Sequence, residues 1–231
     1  MHEEGNSLST TRRAVIFANG VLTSQPAALA AISAGDIVIA ADGGARHCSL
    51  LGITPDYIIG DFDSLETQEL QRFQDAGSKV IRHPARKDYT DLELALRHAC
   101  SLGATEIVVL GALGARWDQS LANLLLPASD EFSKAQVRLL DDNQEVLLLR
   151  GGDSITIGGA PGDTLSLIPL TGDATGVRTS GLEYPLQGET LAFGSTRGIS
   201  NVLLAEEASI SLQDGLLLCV IIHAKTDRER T

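Results

Sequence analysis

The 231-residue sequence predicts an α/β parallel-sheet (Rossmann-like) N-terminal domain followed by an all-β sandwich or barrel. Up to about residue 140, short apolar runs alternate with segments of helical period, the pattern of a parallel sheet covered on both faces. Beyond Asp141 the helical period stops, and apolar runs are separated by turns rich in Gly, Asp and Pro. A hydrophobic content of 43% fits a globular chain. These observations divide the chain into an α/β part, 12–140, and an all-β part, 141–225.

The elements follow in order. "AVIFAN" (14–19) is a strand and "PAALAAI" (26–32) a helix. "DIVIAAD" (36–42) is a strand, and "ARHCSLLG" (45–52) a short helix stopped by Gly52. "YIIGD" (57–61) is a strand, 65–77 a helix and "KVIRH" (79–83) a short strand. "DLELALRHACSLG" (91–103) puts Leu92, Ala95, Leu96 and Ala99 on one helical stripe. "EIVVLG" (106–111) is a strand, 118–127 a helix and "QVRLL" (136–140) the last strand of this part. The second part offers "EVLLLR", "SITIG", "TLSLIPL", "GVRTS", "ETLAFG", "SNVLLAE", "ASISLQ" and "GLLLCVIIH" as strands, with "GGDSITIGGAPGD" read as hairpin turns.

Composition removes several functions. The net charge of −12 argues against a nucleic-acid partner. No run approaches the roughly 18 apolar residues of a membrane span. The polar start, "MHEEGNSLSTTRR", lacks a secretory h-region, so a cytoplasmic protein is expected. Cys48, Cys100 and Cys219 form no CxxC pair and read as reduced buried thiols.

Parallel strands all end at one edge, and ligands bind beyond it. The residues after the successive strands are Asn19 and Gly20, then Asp42, Gly43 and Gly44. Asp61, Asp63 and Ser64 come next, followed by Lys87, Asp88, Thr90 and Asp91. Gly111, Gly114, Arg116, Asp118 and Gln119 complete the rim. Single aspartates are ordinary helix caps, and "TDLE" (90–93) is a capping box. Six aspartates on one rim, however, repel one another unless a cation lies between them. An all-oxygen ligand set suits Mg2+, which commonly lies between carboxylates and phosphates. Lys87 and Arg116 would hold phosphate oxygens, and the rim glycines would let backbone N–H groups approach an anion. The residues thus point to Mg2+-dependent phosphoryl or pyrophosphoryl transfer. Trp117 reads first as a packing residue, with stacking on a nucleotide as the alternative.

"ADGGA" (41–45), "PDYIIGDFDS" (55–64), "KDYTDLELAL" (87–96) and "GALGARWDQSLANL" (111–124) together resemble the thiamine pyrophosphokinase (thiamine diphosphokinase) family. "GLEYPL" (181–186) and "GISN" (198–201) are similar to its second domain, so the resemblance runs from about 14 to 222. Two positions depart from the family pattern: Ala115 interrupts a GGR, and Gln119 stands where His is the other choice. The resemblance implies a homodimer that converts ATP and thiamine to AMP and thiamine diphosphate, with the β domain forming the thiamine pocket near the dimer interface. The chemistry of such a transfer would place Asp61, Asp63 and Asp91 on Mg2+, with Asp42 as a further ligand or a water-mediated one. Lys87 and Arg116 would neutralise phosphate charge, and Asp61 or Asp118 would accept the hydroxyl proton. Asn19, Gly20, Asp42, Gly43, Lys87, Asp88, Thr90 and Gln119 would hold ATP, and Ser200 and Asn201 would contact thiamine.

Three rivals remain at this level. "IIGDFDSL" matches a phosphatase of the haloacid dehalogenase type, but Leu65 stands where Thr or Val is usual and two strand–helix units precede it. A pyrophosphokinase acting on a hydroxymethyl pterin shares the chemistry. A non-catalytic binding module would not need the carboxylates.

Overall fold

The computed structural model describes residues 11–86 and 88–224; the polar lead-in before them and Lys87 lie outside the described residues. The first part alternates β1 (Arg13–Phe17), α1 (Gln25–Ala30), β2 (Ile37–Ala41), α2 (Ala45–Leu51), β3 (Tyr57–Gly60) and α3 (Thr67–Asp75). It continues with β4 (Lys79–Arg82), α4 (Asp91–Ser101), β5 (Glu106–Leu110), α5 (Trp117–Leu125) and β6 (Gln136–Asp141). These six strands pair in parallel in the order β6-β5-β1-β2-β3-β4. The local signals explain the boundaries. Ser24 caps α1 by accepting the Ala27 N–H, and Thr90 caps α4 by accepting the Glu93 N–H. Gly52 ends α2 with φ 69°, a left-handed conformation that costs glycine little.

Side-chain alternation sorts the two faces of the sheet. Ala14 and Ile16 of β1 face a core with Leu92, Ala95, Leu96 and Ala99 of α4. Val15 and Phe17 face the opposite core with Ala28 of α1, Cys48 of α2, and Leu70 and Phe73 of α3. Burial pushes the Cys48 thiol up to about 12, so it stays an inert packing group.

The second part adds β7 (Gln144–Arg150), β8 (Ser154–Gly158), β9 (Thr164–Pro169), β10 (Ala174–Ser180), β11 (Gln187–Leu191), β12 (Asn201–Val202), β13 (Glu207–Ser211) and β14 (Leu216–Ile222). It is a sandwich. A four-stranded sheet, β11-β10-β13-β8, faces an antiparallel set, β12-β9-β14-β7. That antiparallel set is not a separate sheet. β7 pairs with β6 through a tight hairpin, so ten strands run continuously from β12 to β4 as one mixed sheet. Along β14, Leu217, Cys219 and Ile221 enter the sandwich core, while Leu218 joins the α4 core and Val220 packs against it. Burial on both faces accounts for the unbroken apolar run of "GLLLCVIIH".

Candidate active site

The parallel strands deliver their following loops to one edge, where a cleft of about 540 Å³ opens. Asn19, Gly20, Asp42, Asp61, Thr90, Asp91, Arg116 and Gln119 line it. Its acidic end is built by β2 and β3. Asp42 is buried and begins a 3-10 turn with φ 45°. Its carboxylate accepts the Phe62 N–H at 3.1 Å and the Ser64 hydroxyl. Phe62 itself has φ 64°. A left-handed non-glycine residue costs on the order of 1–3 kcal/mol and persists only where its surroundings hold it.

Across this turn, carboxylate oxygens of Asp42, Asp61 and Asp63 come within 4.8 Å of one another. The Asp61 charge is the largest cause that raises the Asp63 pKa; desolvation and the charges of Asp42 and Asp91 add to it. Three oxygen donors this close, with Asp63 opposed by the charges of its neighbours, fit a hard divalent cation.

The glycines have a first role in chain packing. A Cβ on Gly44 would lie 2.0 Å from the Phe17 carbonyl oxygen, and one on Gly43 would lie 2.2 Å from Asn19 Oδ1. The Gly20 N–H donates to Gly111 O at 2.7 Å, and the Gly114 N–H donates to Ser120 Oγ at 3.1 Å. These two amides therefore already have partners, and an anion cradle built from them would require both bonds to open.

Other expected residues are dispersed. Asp118 does not cap α5. Arg116 holds it in a two-pronged ion pair, with Nε–Oδ1 at 3.1 Å and Nη2–Oδ2 at 2.5 Å. The hydrogen bond from Arg116 keeps the Asp118 carboxyl below its ordinary pKa. Asp88 is exposed and outside the cleft lining. Trp117 is not a packing residue: as the first residue of α5 it is 88% exposed, and it does not line the cleft.

Ser200 and Asn201 line a different cleft, of about 520 Å³, with Leu165, Leu167, Tyr184 and Ile199. Ser200 adopts φ 61° and donates its N–H to Ser166 Oγ. The Asn201 side chain is committed to the Tyr184 main chain, accepting from its N–H at 3.0 Å and donating to its carbonyl at 2.7 Å. Asn201 thus shapes the cleft wall.

Arg82 was not singled out by the sequence. At the end of β4 its Nη1 donates to the Asp61 carbonyl at 2.9 Å, and its guanidinium lies 4.8 Å from the Phe62 ring centre. The available signal was slight: an arginine closing a strand beside the "DFD" strand.

A mixed sheet that gathers carboxylates over an open cleft, joined to a β sandwich with a second cleft, fits a two-part enzyme with a cation-binding centre. Comparison with known proteins narrows the class. The family "Thiamin pyrophosphokinase, catalytic domain" matches residues 29–139, and "Thiamin pyrophosphokinase, vitamin B1 binding domain" matches 154–217. The thiamine pyrophosphokinase of Bacillus subtilis (strain 168) is 31% identical over 169 residues, 73% of this chain and 79% of that protein. Thiamine pyrophosphokinase 1 of Oryza sativa subsp. japonica is 27% identical, covering 73% of this chain and 67% of its own length. The crystal structure of the Bacillus subtilis enzyme superposes with a TM-score of 0.82 at 27% identity, over 93% of this chain and all of that one. The chain belongs to the thiamine pyrophosphokinase family.

Proposed function

We propose that the protein transfers the pyrophosphoryl group of ATP to the hydroxyl of thiamine, giving thiamine diphosphate and AMP. The observation that carries the site assignment is the meeting of Asp42, Asp61 and Asp63 within 4.8 Å at the mouth of the cleft, with Asp91 and Arg116 on its walls. Family membership supports the acceptor and disfavours the pterin and phosphatase alternatives.

In this reading, Asp61, Asp63 and Asp91 hold Mg2+, with Asp42 as a further ligand that also fixes the loop. Bound there, Mg2+ would neutralise charge on the polyphosphate. Asn19, Gly20, Gly43, Thr90 and Gln119 position the nucleotide, and Arg116 takes phosphate charge. The hydroxyl oxygen attacks the β-phosphorus, the bond from that phosphorus to the AMP oxygen breaks, and AMP leaves. Positioning and charge neutralisation supply most of the acceleration in such transfers. Asp118, gripped by Arg116 and held below its ordinary pKa, is a poor acceptor for the hydroxyl proton. Residues 12–140 form the catalytic unit and 141–225 the thiamine-binding unit of a cytoplasmic enzyme.

The reading includes a homodimer. β12, which bears Asn201, and β3, which leads to Asp61, are eight strands apart in one sheet. At about 4.8 Å per strand this is on the order of 38 Å, too far for one thiamine to touch both. A second copy would bring its sandwich cleft to the acidic cleft of the first. An Asp63→Asn chain mixed with a Ser200→Trp chain should then regain activity that each lacks alone, and a mixture that stays inactive removes the shared site. Incubation with ATP, Mg2+ and thiamine tests the reaction itself: AMP is expected, ADP overturns the pyrophosphoryl assignment, and turnover only with a pterin changes the acceptor.

A further inference from the structure

We infer that Arg82 is a positioning residue: it clamps the main chain of the acidic loop so that Asp61 and Asp63 hold a divalent cation. The inference rests on the metal reading given above. The loop needs a clamp because its central residue, Phe62, is held at φ 64° while the like charges on either side of it push apart. Asp42 and Ser64 secure the loop from one side, through the Phe62 N–H and the Ser64 hydroxyl. Arg82 secures it from the other, with two kinds of contact. One is the hydrogen bond from Nη1 to the Asp61 carbonyl at 2.9 Å. The other is the guanidinium lying 4.8 Å from the centre of the buried Phe62 ring. The planar, multiply donating guanidinium makes both contacts at once. Arg82 reaches the site from β4, which pairs in register with β3 up to Gly60↔Arg82, so the sheet itself sets where the clamp falls.

The sign of the effect separates this role from simple electrostatics. Removing a positive charge beside carboxylates should tighten cation binding, whereas releasing the loop should weaken it. The test is Mn2+ binding to the full chain without nucleotide, read by paramagnetic resonance, alongside the Mg2+ dependence of AMP formation. Arg82→Met is expected to weaken Mn2+ binding at least about tenfold and to raise the half-saturating Mg2+ by the same factor. The thiamine KM should stay within about twofold of the wild-type value. Arg82→Lys keeps the charge and a donor but loses the planar contact, and should fall between the two. Unchanged or tighter Mn2+ binding by Arg82→Met overturns the inference. If that variant does not fold, Arg82→Lys decides: weakening of about twofold or more supports the clamp, and wild-type affinity overturns it. A wild-type protein that binds no Mn2+ overturns the metal reading and this inference together; wild-type binding with unaffected variants overturns the inference alone.

Discussion

The parallel and antiparallel parts of the ten-stranded sheet share hydrogen bonds and a core, yet the more exposed acid groups at the rim of one and the buried acid groups of the other stand in different surroundings. In the antiparallel part the two buried carboxylates, Glu145 and Asp163, have donors. Arg138 grips Glu145 with two bonds of 2.6 Å. Burial would push the Asp163 pKa up, but N–H groups of Ala224, His223 and Ala160 outweigh it and hold the carboxyl below its ordinary range. At the parallel rim, Asp61 and Asp63 mostly have each other, and Asp63 is raised by that repulsion. The difference follows from topology. Parallel strands end together and collect loops distant in sequence, whereas antiparallel strands send their ends to both edges. A carboxylate surrounded by donors stabilises the fold, while one opposed by its neighbours is available to a cation.

The largest expected effect tests this division directly. Asp63→Asn should lower AMP formation at least about 100-fold, since a group facing the transferred charge is lost. Its melting temperature should be equal to or above that of the wild type, because a repulsive partner is removed; a clear fall would break the comparison. In the antiparallel part, Asp163→Ala should do the reverse. It strands the Ala160 and Ala224 amides and should cost about 1–3 kcal/mol in urea unfolding, with kcat unchanged. Ser200→Ala should be milder, raising the thiamine KM about fivefold and leaving the ATP KM alone, the loss of about one hydrogen bond. The smallest effect concerns pH. A raised Asp63 pKa means that folding gains as pH falls through it, when protonation ends the repulsion, and loses as pH rises above it. Mg2+ should therefore raise the melting temperature by about 2–4 °C at pH 7 and by less near pH 4, in a thermal melt at both pH values.

Much of this was legible in the sequence because the signals are local. The strand–helix alternation, Gly52 as a stop and the Thr90–Glu93 cap depend on residues within one turn of each other. The acidic rim was legible because parallel strands convert order along the chain into a shared edge. What escaped depends on distant partners. The continuity of the sheet through β6 and β7 rests on one pairing that a change of rhythm at Asp141 conceals. Arg82 bonds to a residue 21 positions earlier, and "KVIRH" signals that only by ending a strand in arginine. Asp118 matched an N-cap by position, yet Arg116 two residues earlier captured its carboxylate. Trp117 was assigned to packing by its size, but the first turn of α5 points it outward. The glycines read as room for an anion, whereas the close neighbours of Gly43 and Gly44 are the protein's own Asn19 and Phe17.

The two ends of the long sheet have a consequence for solubility. An open sheet offers unpaired N–H and C=O groups at its outermost strands, and other chains can add there as further strands. Here one outermost strand, β12, has only two residues, and the other, β4, has four and begins and ends with Lys79 and Arg82. Edges that are short, as both are, or cationic, as β4 is, discourage accretion of neighbouring molecules. Cutting the chain at the β6–β7 hairpin would replace such a border with the longer edges of β6 and β7, and would uncover Val146 and Leu218, so either fragment alone should aggregate.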